Sequence, residues 1–156
     1  MEIVYIETSV VSLLVANPSR DLIVAAHQAA TREWWDQERP HYRCVTSDEV
    51  VREVSFGDVD MSRRRLEALA GMPVLLVTDE VRLLAKDLLG ERILPPAVIA
   101  DAIHAATASL HQADYLLTWN CRHLANPHLQ KPMRFFMAAR GLILPEICTP
   151  IELAEH

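Results

Sequence analysis

Short, near-continuous apolar runs alternate with helical segments along this chain. That alternation restricts it to an open parallel sheet covered by helices on both faces. The runs are Ile3–Ile6, Tyr42–Val45, Val74–Val77 and Tyr115–Leu117, with Pro145–Thr149 as a last short strand. The first helix covers Thr8–Val15, capped by Thr8 or Ser9 and stopped at Asn17-Pro18. Asp21 caps a longer one reaching about Gln37, apolar at Leu22, Ile23, Ala26, Ala29, Ala30 and Trp34. Ser47 or Asp48 opens the next, which Gly57 stops, and Ser62–Ala70 follows, ending at Gly71. Asp79 caps a helix to about Leu89, with Gly90 just past its end. Pro95-Pro96 opens an alanine-rich helix to about His111, a short helix lies near Cys121–Ala125, and another covers Pro127–Arg140. The order predicts a three-layer α/β/α sandwich around a central, mainly parallel sheet of four to five strands.

At 156 residues the chain suits one domain, 1–156, with a real core. Half of it is apolar (51%) and under a quarter charged (23%), which excludes a disordered chain. No apolar run approaches the ~20 residues of a membrane span, and the start lacks the basic residues and cleavage site of a signal peptide. Cys44, Cys121 and Cys148 are too few and too widely spaced for a disulfide framework, so the expected setting is a reducing cytoplasm. Cys121-x-His123 is not by itself a zinc spacing. A net charge of −6 confines any nucleic-acid contact to a local basic patch or a metal.

Four residues stand where globular proteins rarely leave them. Glu7 ends the first apolar run and Asn120 follows the fourth. Asp101 is the only formally charged residue between Pro95 and His111, and Glu53 lies among valines. Each has an ordinary reading. Glu7 and Asp101 complement helix starts, Glu53 lies on an exposed helix face, and Asn120 is a turn residue. In parallel sheets, however, ligands bind outside the carboxyl ends of the strands. Glu7 and Asn120 both fall there, and acids converging on one cleft would hold a divalent cation.

The motifs carry a resemblance over nearly the whole chain. Tyr5-Ile6-Glu7-Thr8-Ser9, the glutamate-to-glycine block Glu53-Val54-Ser55-Phe56-Gly57, Asp101-Ala102-Ile103-His104-Ala105-Ala106 and Thr118-Trp119-Asn120-Cys121-Arg122-His123-Leu124 follow one another in the order of four family blocks. In these the chain resembles PIN-domain nucleases, and among them the VapC-like toxins of toxin–antitoxin systems. The resemblance implies a Mg2+- or Mn2+-dependent endoribonuclease acting on RNA, with a possible cognate antitoxin and a homodimeric state. It assigns catalysis to Glu7, Glu53, Asp101 and Asn120, with the first three as metal ligands. Thr8 and Thr118 would hold waters or fix a carboxylate. The family usually begins its site with aspartate; Glu7 has one methylene more, which moves its carboxylate by roughly an ångström. The fourth position is an amide, so three formal negative charges remain. The alternative is a catalytically weak PIN-fold protein that binds nucleic acid or protein.

Arg122, Lys131 and Arg134 form the expected patch against an RNA backbone. Arg63-Arg64-Arg65 reads as a solvated helix face, and His104 as a satisfied core or rim histidine. Trp119 stacks on a base or packs in the core. Trp34-Trp35 is core, or part of a groove for an antitoxin helix or second subunit. An Asp-x-Asp phosphatase start, the paired acids of a receiver domain and a Walker loop are all missing from the sequence.

Overall fold

Val4, Tyr5 and Ile6 have no solvent exposure, and neither do Leu116 and Leu117, because these two runs pair at the centre of the sheet. The computed structural model describes residues 1–155; His156, the last residue of the expected domain, lies outside them. The strands are β1 (Ile3–Ile6), β2 (Arg43–Ser47), β3 (Val74–Leu75), β4 (Tyr115–Leu117) and β5 (Glu146–Cys148). All pairings are parallel, in the order β3-β2-β1-β4-β5. The helices are α1 (Thr8–Val15), α2 (Leu22–Glu33), α3 (Asp48–Val54), α4 (Val59–Leu69), α5 (Asp79–Gly90), α6 (Ile99–Leu110) and α7 (Pro127–Ala138).

Starting at β1, the chain builds outward through β2 and β3, then crosses back to place β4 and β5 on the other side. The order therefore reverses between β1 and β4. Adjacent loops diverge at such a point and leave a crevice at the strands' carboxyl ends. Tyr5 pairs with Val45 and Leu116, which sets the register that brings Glu7 level with Thr118.

Several boundaries differ from the sequence expectation for local reasons. β3 is only Val74–Leu75 rather than Val74–Val77, and β2 begins and ends later than Tyr42–Val45. Thr78, not Asp79, caps α5, its hydroxyl accepting from the Val81 N–H at 3.2 Å. The helix expected from Ser62 starts at Val59, because the Asp58 carboxylate accepts the Met61 N–H. Glu7, not Thr8 or Ser9, caps α1. Pro96–Val98 is a 3-10 turn before α6, and Cys121–Ala125 is a series of turns.

The largest difference is the face of α2. Leu22 and Ile23 are 86% and 70% exposed, whereas Gln28 and Thr31 are buried. Hydrogen bonding outweighs apolarity there. The Gln28 side chain accepts the Ser19 N–H and donates to the Asn17 carbonyl. The Thr31 hydroxyl donates to the His27 carbonyl and accepts from Trp119 Nε1. α2 continues into a π-helical turn, Trp34–Glu38, that drives both indoles into the core. Trp34 and Trp35 are therefore core residues and supply no groove.

Candidate metal site at the carboxyl edge of the central strands

Glu7 leaves β1 with its backbone N–H on the Leu117 carbonyl of β4, at 3.1 Å. Its side chain is buried, and a carboxylate there costs several kcal/mol unless donors compensate. They do. The Ser9 N–H reaches Oε2 at 3.2 Å, Thr118 Oγ1 reaches Oε1 at 2.5 Å, and the Ser9 hydroxyl also donates to Oε1. Both hydroxyls are aimed by the loop after β4. Ser9 Oγ accepts the Trp119 N–H at 2.8 Å, and Thr118 Oγ1 accepts the Asn120 N–H at 2.9 Å. Their protons are thus directed to Glu7. The helix-start role of Glu7 and its place at the cleft are one arrangement.

Glu53 arrives from α3. Its Oε1 accepts from the Thr8 hydroxyl at 2.7 Å and lies 2.6 Å from His104 Nε2 of α6. His104 is wholly buried. Its Nδ1 is 2.7 Å from the Tyr5 hydroxyl, which is 2.6 Å from Ser47 Oγ. Burial by itself would raise the Glu53 carboxyl; the His104 hydrogen bond and charge, the Thr8 hydroxyl and Arg52 outweigh it and hold Glu53 below its ordinary range. Burial by itself would lower His104; the hydrogen bond to Glu53 and the charges of Glu7, Glu53 and Glu49 outweigh it and raise it. The two directions agree on an ion pair.

That pair makes stability pH-dependent. The raised His104 contributes stability that is complete below its ordinary value of 6.5 and is lost as pH rises through its higher folded value. The lowered Glu53 contributes stability present above its ordinary 4.5 and lost as pH falls through its lower folded value. In chelator, the stability gap between wild type and His104→Gln is expected to be widest between 4.5 and 6.5. Thermal unfolding from about pH 4 to pH 9 measures it; a gap that does not vary with pH excludes the ion pair.

Of the residues expected at the site, Glu7 and Glu53 meet. One ligand atom from each, with one from His104, all lie within 4.8 Å of one another. Asp101 is outside that group. It precedes His104 by one turn of α6, and its Oδ2 is 3.2 Å from His123 Nδ1. The Asn120 side-chain oxygen accepts the His123 N–H at 3.1 Å, so its ordinary turn role is realised. Thr8 and Thr118 each donate to one glutamate. Glu49, a turn before Glu53, is held by a two-pronged Arg52 contact.

The flanking candidates fall into two groups. Arg122, Lys131 and Arg134 are exposed. Trp119 is tied down, stacked on His27 at 4.2 Å between ring centres, with Nε1 donating to Thr31 at 2.9 Å. Arg63 and Arg64 pair with Asp60, and Arg65 donates to the Val54 and Phe56 carbonyls, so this run serves its own helix and the adjacent turn. His104, Ser9 and Tyr5 are the site residues that sequence reasoning did not assign. The available signal was the three-residue step from Asp101 to His104, which puts both near one helix face.

The donor set fits a metal. Two carboxylates offer hard oxygens, and an imidazole beside them suits first-row divalent ions as well as second-sphere support. The two glutamates could together hold one ion, with the imidazole beside them.

No protein-family model and no curated protein matches the sequence. Solved structures do match the fold. A chain of VapBC2 from Rickettsia felis, crystallised bound to a DNA fragment from the promoter, aligns with a TM-score of 0.60 and 13% identity, covering 94% of this chain and 98% of its own. A chain of VapBC-1 from nontypeable Haemophilus influenzae aligns with a TM-score of 0.59 and 17% identity, covering 96% and 98%. At such identities the likeness is one of architecture alone. The chain thus has a three-layer, PIN-like α/β/α fold, shared with chains of these VapBC structures.

Proposed function

We propose that this protein is a Mg2+- or Mn2+-dependent endoribonuclease, the toxin of a toxin–antitoxin pair, hydrolysing RNA phosphodiester bonds at the cleft between β1 and β4. The observation that carries the reading is the convergence of Glu7 and Glu53, from two separate elements, at the point where the sheet order reverses. Glu7, Glu53 and Asp101 are the proposed ligands, and Asn120 the neutral fourth member. A divalent cation bound there supplies charge neutralisation at the scissile phosphate and lowers the pKa of water. The chain's own contribution is placement. Ser9 and Thr118 fix the Glu7 carboxylate, and Thr8 and His104 fix that of Glu53. Arg122, Lys131 and Arg134 hold the RNA backbone by charge.

RNA cleavage by the purified protein tests this. Cleavage is expected with Mg2+ or Mn2+, is expected to stop in chelator, and is expected to be lost in Asp101→Asn. Undiminished cleavage by that variant or in chelator sinks the mechanism. One feature supports a second reading, a PIN-fold binding module with weak catalysis. Asn120 and Asp101 are both engaged in the turn around His123. RNA binding without cleavage of any RNA offered, in either metal, would select it.

The two similar structures are VapBC assemblies, which supports a cognate antitoxin for this chain. Leu22 and Ile23 on α2 and Val59 on α4 are large exposed apolar residues available to such a partner or to a second copy in a homodimer. Among the described residues, no helix is long and apolar enough to cross a membrane. We place the protein in the cytoplasm, a setting that suits its three free thiols. Burial pushes Cys44 up to about 11 and Cys148 up to about 12, which keeps both as unreactive thiols.

A further inference from the structure

We propose that His104 is a positioning residue that fixes the Glu53 carboxylate through its Nε2–H and so sets the affinity of the glutamate pair for a divalent cation. This rests on the metal-site reading above. Three observations lead to it.

First, His104 is held at both ring nitrogens, so its direction is not free. Nδ1 faces the Tyr5 hydroxyl at 2.7 Å, and Tyr5 faces Ser47 Oγ at 2.6 Å. Ser47 is itself anchored, accepting the Val50 N–H at 3.2 Å. The series runs from β2 through β1 to α6 and ends on Glu53 of α3. With the ring fully buried and held at Nδ1, Nε2 points at Glu53 Oε1.

Second, the support falls on one oxygen of Glu53. Oε1 takes both the Thr8 hydroxyl and His104, while Oε2 has no donor among the described residues. A carboxylate pinned by one oxygen presents the other in a fixed direction, as hydrogen-bonded metal ligands do. Glu53 needs that help more than Glu7. It sits near the end of a seven-residue helix, whereas Glu7 is joined to the central strand pair through its own backbone.

Third, the contact distance identifies a hydrogen bond and not a coordination edge. Two ligand atoms at ~2.1 Å from one octahedral ion stand roughly 3.0 Å apart. Nε2 and Oε1 are 2.6 Å apart, too close to be neighbours in such a sphere. Nε2 lies 4.0 Å from Glu7 Oε2, so its short contact is to Glu53 alone.

The substitutions that separate this from a merely buried histidine differ in which ring nitrogen they imitate. A glutamine amide nitrogen reaches the place of Nε2; an asparagine amide reaches only that of Nδ1. Mn2+ binding to the full chain is read by electron paramagnetic resonance titration, with no RNA present. His104→Asn is expected to weaken Mn2+ binding by about ten- to a hundredfold, the usual cost of losing such an outer partner. His104→Gln is expected to stay within about threefold of wild type, with the same melting temperature as His104→Asn to within a few degrees. Tyr5→Phe, which keeps the ring and removes the hydroxyl contacts to His104 Nδ1 and Ser47 Oγ, is expected to loosen binding severalfold and guards against misfolding of the histidine variants. Equal loss in Gln and Asn, or wild-type affinity in Asn and in Tyr5→Phe, overturns the proposal. So does a pulsed-resonance 14N coupling from His104 to bound Mn2+, which would make it a ligand. If the wild type binds no Mn2+, the metal-site reading itself fails; if it binds and the variants do not follow this order, only the role of His104 does.

Discussion

Glu7→Gln is expected to lower metal-dependent RNA cleavage by roughly a hundredfold or more, which corresponds to losing about 3 kcal/mol of transition-state stabilisation. The substitution preserves volume, so the effect isolates charge and hydrogen-bond polarity. Three donor contacts converge on this carboxylate, from the Ser9 N–H, the Ser9 hydroxyl and the Thr118 hydroxyl. An amide supplies one acceptor oxygen in place of two, and its NH2 must face one of these donors. A buried donor left unpaired costs about 1–3 kcal/mol, so a lower melting temperature should accompany the lost activity. Single-turnover cleavage and Mn2+ titration together check the prediction. Retained cleavage with unchanged metal affinity would remove Glu7 from the site.

The second large effect concerns the core. Trp34→Ala is expected to destabilise the fold by about 3–5 kcal/mol, from lost transfer energy and the cavity left behind. Trp34 is 1% exposed and stacks on Tyr42, 6.0 Å between ring centres. Trp34→Phe is expected to cost far less, because Nε1 has no hydrogen-bond acceptor among the described residues and no hydrogen bond is lost with it. Denaturant unfolding of the two variants measures the difference. A small cost for alanine, accompanied by loss of self-association, would return this indole to a docking role.

Much of the fold was legible because its signals are local. Strands buried on both faces read as unbroken apolar runs, and Gly57, Gly71 and Asn17-Pro18 mark helix ends. The misread elements were decided by partners distant in sequence. The face of α2 turns on Gln28, whose amide serves Asn17 and Ser19, and on Thr31, which meets Trp119 eighty-eight residues away. Hydropathy carries no record of such bonds: Leu22 and Ile23 are among the apolar positions of the helix, yet both lie outside.

The site divides in the same way. By itself, the sequence determined a parallel α/β architecture and placed Glu7 and Thr118 at strand ends, since each directly follows an unbroken apolar run. It also marked Glu53 and Asp101 as acids in apolar company. Only the tertiary structure decided which of them touch. The reversal between β1 and β4 joins Glu7 to the Thr118 loop, and α3 folds over to set Glu53 against Thr8 and His104. Asp101, on the same helix as His104, meets His123. These contacts bridge up to 111 positions of chain, and their directions follow from how helices pack on the sheet, which no local pattern encodes.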